Sequence, residues 1–228
     1  CGSAGFVGAS DGWRDLQAHG RLAWRYTRAE NGNVALTGEL DLQASQGCFV
    51  LALGFGRTAE EAGHRAAASL WEGFDRAATA YVQGWEAWQR SLRPLERTTP
   101  GARDLYRVST AVLRTHESSR IPGGLIASLS IPWGFSKGDG DLGGYHLVWP
   151  RDLVESAGGL LAAGAREAGH RILRYLALTQ EADGHWPQNM WLDGSPYWQG
   201  IQMDETGFPI LLVDLAHRFG SSPEALRA

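Results

Sequence analysis

The residues best equipped for chemistry cluster in GGYHLVWPRDL, Gly143 to Leu153, where Trp149, Arg151 and Asp152 surround Pro150 just before a long apolar segment. Pro150 suits the first turn of a helix, because its φ is already helical and its missing N–H had no partner there. Arg151 and Asp152 then fall in that first turn. An indole face beside charged groups is the chemistry that holds a sugar, with C–H groups on the ring and hydroxyls bracketed by charge. The same pair could equally serve only to cap the helix. A second set lies in the long loop 182–204 and the helix start after it: Trp186, Gln188, Asn189, Trp191, Trp198, Gln202, Asp204 and Glu205. Carboxylates, amides and indoles together are the equipment of glycoside chemistry. Asp204 and Glu205 open a helix, where a carboxylate is also favoured by the dipole alone, so capping and sugar contact both remain open for them. No phosphate-binding glycine loop, Ser–His–Asp order or zinc-ligand spacing occurs, and the lone His185 reads as structural.

Composition narrows the class of protein. Of 228 residues, 43% are hydrophobic and 20% charged, which predicts a packed core. A net charge of −4 offers no basic face for nucleic acid. No run of about 18 apolar residues occurs, so no membrane span is expected. Ten tryptophans are the unusual count. Trp13, Trp24, Trp71, Trp85 and Trp88 read as packing, whereas Trp149, Trp186, Trp191 and Trp198 lie in loop-like sequence between helical segments. Cys1 and Cys48 are too few to define a disulfide framework.

The elements that must position these residues change character along the chain. Residues 1–56 read as antiparallel β, with Arg21–Tyr26, Val34–Leu42 and Cys48–Phe55 as strands of a sandwich separated by turn signals. Thr58 starts a helix with Ala62, Ala66, Leu70 and Phe74 on one face, and a second helix covers Ala77–Leu92. Arg93-Pro94 and Thr98-Thr99-Pro100-Gly101 mark a boundary. Helices follow at Ala102–Glu117, Pro150–Ala163, Arg166–Glu181 and Glu205–Phe219, with Leu125–Ser130 as a strand inside the Gly-rich stretch 121–144. The expected inward stripes are Leu105/Val108/Val112/Leu113, Leu153/Leu160/Leu161, Ile172/Leu173/Leu176 and Leu211/Leu215/Phe219. The expected division is therefore 1–76 as the end of a β-sandwich with a helix, 77–100 as a linker helix and boundary, and 101–228 as the first part of an α-hairpin barrel whose long loops carry the site.

YHLVWPRDLVESAG at 145–158 and PQNMWLDGSPYWQGIQMDE at 187–205 resemble the bacterial glucoamylase and glucodextranase family, glycoside hydrolase family 15. GFVGASDGW and GNVALTGELDL, in the first 42 residues, are similar to the end of the β-sandwich that precedes the barrel in those enzymes. The resemblance implies a partial (α/α)6 barrel and an exo-acting, inverting hydrolase that releases glucose from non-reducing ends of α-1,4 or α-1,6 glucans. It implies that Arg151 and Asp152 hold the terminal glucose, that Trp149 walls the same subsite, and that Trp198 and Gln202 sit beside the scissile bond, with Asp204 and Glu205 lining the pocket. It implies no organic cofactor, a metal no more than a structural calcium, and a secreted or periplasmic location.

Inverting hydrolysis needs an acid and a base carboxyl about 6.5–9.5 Å apart. The family's acid and base motifs are expected beyond residue 228, which makes this chain a substrate-gripping fragment expected to be inactive alone. Glu205 is the one in-chain candidate for the acid. A carbohydrate-binding protein without catalysis, or a trehalase-like hydrolase of the same barrel, are the alternative readings.

Overall fold

The computed structural model describes residues 2–94, 105–129 and 144–220. About half of these are helical, with a few short antiparallel strands. The chain divides into two compact units, Cys1–Gln83 and Gly84–Ala228.

In the first unit, β1 (Gly2–Phe6) pairs antiparallel with β2 (Val34–Gly38), with Ala4 opposite Leu36. Between them lies α1 (Gly12–His19), a helix where the composition reads as β. Its start is written in the sequence: the Asp11 carboxylate accepts the Arg14 N–H at 3.0 Å and also takes the Gly8 N–H. A Cβ on Gly5 would lie 1.9 Å from the Ser10 carbonyl oxygen, so only glycine lets this turn fold back onto β1. Asp15, fully buried, accepts the Trp24 N–H at 2.6 Å and pairs with His19.

Two of the three expected strands are corrected. Arg21–Tyr26 runs beside β1, tied by Ala4 N–H to the Tyr26 carbonyl at 2.8 Å and Tyr26 N–H to Ser3 Oγ at 3.1 Å, yet forms no ladder. Cys48–Phe55 has no ladder partner among the described residues. The third stops at Gly38, because Asp41 bends the chain by accepting the N–H groups of Gln43 and Ala44. Alternation marks a surface that could pair, but only a partner makes a strand. The expected helix is present as α2 (Ala59–Glu72), where Thr58 Oγ1 accepts the Glu61 N–H at 3.2 Å. Leu70 and Phe74 on its expected face are exposed. The helix α3 (Phe74–Ser91) runs across the division between the units.

The second unit is organised around α5 (Pro150–Ala162), which packs on α4 (Leu105–Thr115), α6 (Arg166–Thr179) and α7 (Met203–Arg218). Leu153, Leu160 and Leu161 of α5 meet Ile172, Leu173 and Leu176 of α6 in one buried cluster, as their spacing predicts. Each such leucine contributes about 1.5–3 kcal/mol by leaving water. Two expected stripes hold only in part. On α7, Leu215 and Phe219 pack against the buried cluster, but Leu211 is exposed and the buried positions are Glu205, Pro209, Leu212 and Ala216. On α4, Leu113 packs against the cluster, while Leu105, Val108 and Val112 are exposed and Thr110 is the buried position. In both helices the buried side is offset from the expected stripe, because it includes a polar residue that a hydrophobicity count passes over. Leu125 makes only an isolated bridge with Glu117, and the expected boundary at 98–101 lies outside the described residues, as does Ser130.

Candidate active site

The site is built where α5 and α7 begin. The chain enters α5 through Val148, which exchanges both backbone hydrogen bonds with Met190, at 2.9 and 3.0 Å. That bridge ties the start of α5 to β3 (Asn189–Met190), which pairs with β4 (Pro196–Trp198). Asn189 is completely buried, and its Oδ1 accepts the Trp198 N–H at 3.1 Å. Backbone pairing therefore brings together two tryptophans 49 positions apart in sequence. Trp149 and Trp198 meet edge to face with ring centroids 5.9 Å apart. The Trp149 indole N–H donates to the Gly144 carbonyl at 3.1 Å, which fixes its tilt. Tyr197 extends the aromatic wall, 5.7 Å from Trp198 and 5.5 Å from Trp191. The alternation of a three-residue strand could have flagged Tyr197, but its neighbours dominate the motif.

Arg151 joins the two helices. Its guanidinium pairs with Asp204 on α7, and its Nη1 lies 3.5 Å from Glu205 Oε1. Its backbone N–H donates to Glu205 Oε2 at 2.5 Å. Trp149 occupies the N-cap of α5 but has no side-chain cap to offer, so a carboxylate from α7 supplies it. Glu205 thus caps α5 rather than the helix it opens, and Asp204 pairs with Arg151.

The two carboxylates differ sharply. Asp204 is partly exposed, and the Arg151 hydrogen bond holds its pKa below the usual carboxylate range. Glu205 has no exposed surface, and burial pushes its pKa up to about 7 against the pull of Arg151. Its Oε1 makes no hydrogen bond within the described residues, nor do Gln202 Oε1 and Thr206 Oγ1 on the same first turn of α7. Asp152 is also raised by burial, opposed by Arg151.

Of the residues singled out from sequence, Trp149 and Trp198 are in contact, Arg151 is in contact with Asp204 and Glu205, and Asp152 and Gln202 stand at the same helix starts. Trp186 departs from the expectation: it is buried, and its indole N–H donates to the Leu176 carbonyl at 3.0 Å. Its apolar body completes the α5–α6 core, so it is a packing residue. His185 pairs with exposed Asp183. Sequence reading missed a second ion pair, in which Arg171 of α6 grips Glu117 through two hydrogen bonds of 2.7 Å. Glu117 also accepts the Gly123 N–H at 3.0 Å. Nothing in a lone Glu and Arg 54 positions apart signals such contact. Among the described residues no group of three or more His, Cys, Asp or Glu side chains is gathered for a metal ion, and no helix is long and apolar enough to cross a membrane.

Residues 1–90 match the family described as Glucodextranase, domain N, and residues 101–183 match Glycosyl hydrolases family 15. A glucoamylase of Clostridium sp. (strain G0005) is 39% identical over 217 residues, covering 95% of this chain and 30% of the relative. An uncharacterized glycosyl hydrolase of Methanocaldococcus jannaschii is 32% identical over 74 residues, 32% of this chain and 12% of the relative. The crystal structure of a bacterial glucoamylase complexed with acarbose superposes with a TM-score of 0.77 at 34% identity, over 95% of this chain and 32% of that one. The chain therefore spans about a third of the length of the glucoamylases it matches.

Proposed function

The chain belongs to the glucoamylase family, glycosyl hydrolases family 15, and from that premise we propose that it forms the glucose-gripping part of an exo-acting, inverting α-glucan hydrolase. The observation that carries the reading is that the start of α5 carries both Trp149, packed on Trp198, and Arg151, paired with Asp204 of α7. The indoles present apolar edges and faces to the C–H groups of a sugar ring. The fork of Arg151, held from both sides by carboxylates, presents fixed donors to its hydroxyls. Asp152, one position along, accepts from hydroxyls on the same ring. Similarity to a glucoamylase solved with acarbose, itself an oligosaccharide-like ligand, supports a glucan as the substrate class.

The acid and base come from elsewhere in the protein on this reading. Asp204 and Glu205 are both engaged with Arg151, which supports a role in gripping rather than in proton transfer. The reading involves no organic cofactor. Polarimetry of maltose and isomaltose hydrolysis by the full-length protein tests it: release of β-glucose from one of them is expected, and hydrolysis of neither, or release of α-glucose, overturns it.

A further inference from the structure

We propose that Glu205 is a positioning residue for substrate binding: a buried carboxylate on α7 that fixes Arg151 on α5 by its backbone and its guanidinium together. This rests on the reading that Arg151 grips the sugar. The geometry is specific. Glu205 Oε2 holds the Arg151 N–H at 2.5 Å, while Oε1 sits 3.5 Å from its Nη1. Asp204 holds the same guanidinium from the partly exposed side. Arg151 is therefore held at its backbone and at its guanidinium, and among the described residues Glu205 is the one that reaches both.

The clamp also replaces a missing cap. Pro150 has no N–H, Trp149 offers no acceptor, and Arg151 is the first residue of α5 with an N–H to satisfy. Without Glu205 that N–H is left unpaired beside a buried core, and the first turn that aims Arg151 is free to fray. The charged groups facing Glu205 are Arg151 and Asp152 of α5 and Asp204 of its own helix. Burial holds its proton to near neutrality, so the clamp is at full strength only when Glu205 is ionised, and acidification weakens the grip.

The test is the pH dependence of KM and kcat, from pH 5 to 8, for whichever of maltose and isomaltose the full-length protein hydrolyses, in wild type, Glu205→Gln and Glu205→Ala. In wild type KM should rise on acidification by about tenfold, the worth of a charge-assisted hydrogen bond. Glu205→Gln keeps an acceptor for the Arg151 N–H but not the charge, so its KM should be raised at pH 8 and lose the extra rise on acidification. Glu205→Ala should be worse than Glu205→Gln throughout, so the amide partly rescues. The isosteric glutamine keeps the test valid if the alanine variant does not fold. KM profiles superimposable on wild type in Glu205→Gln overturn the positioning role while leaving the grip by Arg151 standing. A collapse of kcat at unchanged KM overturns it in favour of Glu205 as the general acid. No turnover by wild type, with no disaccharide binding by calorimetry, defeats the glucan reading and this inference with it.

Discussion

The Glu205 carboxylate, in the first turn of α7, accepts the backbone N–H of Arg151, in the first turn of α5, at 2.5 Å. Fifty-four positions of chain are spanned by that one bond. It makes the starts of two helices a single unit, and around it the candidate site takes its shape.

Keeping an ionised carboxylate in this place costs stability. Folded Glu205 retains its proton up to about pH 7, whereas the unfolded group releases it near its ordinary value of 4.5. Between these pH values the folded state binds more protons than the unfolded one, so the contribution of Glu205 to stability falls as pH rises through that window. Glu205→Gln removes the dependence. Chemical denaturation should find the variant close to wild type near pH 4.5 and more stable at pH 8, by about 2 kcal/mol after allowing for screening by polar neighbours. An unchanged difference across the range would contradict the burial of the charge.

Two tryptophans separate packing from binding. Trp186 is in the core and Trp198 is 39% exposed. Trp186→Ala should cost about 3–5 kcal/mol in denaturant unfolding. Trp198→Ala should cost under about 1 kcal/mol yet raise KM by about tenfold, since it removes an aromatic face and the support of Trp149. Equal losses of stability in the two variants would sink the distinction.

Gly123 lies at φ +85°, and a Cβ there would stand 2.1 Å from the Arg171 carbonyl oxygen. Backbone meets backbone at that contact, so little can give. Gly123→Ala should destabilise by more than about 2 kcal/mol, visible as a fall in Tm, by prising apart the Glu117–Arg171 pair. A Tm within a degree of wild type would show that the loop relaxes at no cost.

Ile210, Leu211 and Val213 of α7 and Leu178 of α6 are exposed apolar side chains. The 228-residue chain on its own should therefore self-associate, and light scattering should show a mass that grows with concentration. A sharp monomer peak at all concentrations would contradict this.

Much of this arrangement was legible before any coordinates. Pro150 announced α5, Thr58 announced α2, and the leucines of α5 and α6 announced their seam, because each signal is local and periodic. The second unit's site residues were legible as types: indoles and charges at helix starts. Their partners were not. The Val148–Met190 bridge, the Arg151–Glu205 clamp and the Glu117–Arg171 pair each join distant segments, and no local pattern encodes them. Trp186 and Trp198 look alike in sequence, and only the fold decides which one is covered. In the first unit α1 was hidden by its glycine-rich surroundings, although Asp11 three residues before Arg14 carried the cap signal.

The central claim is that Arg151, aimed by Glu205 and Asp204, grips the sugar. The most direct measurement is the KM for maltose or isomaltose of Arg151→Ala in the full-length protein, beside a thermal melt of the same variant. At least a tenfold rise in KM, in a protein still folded at the assay temperature, is the result this account predicts. A folded variant with the KM of wild type would contradict it.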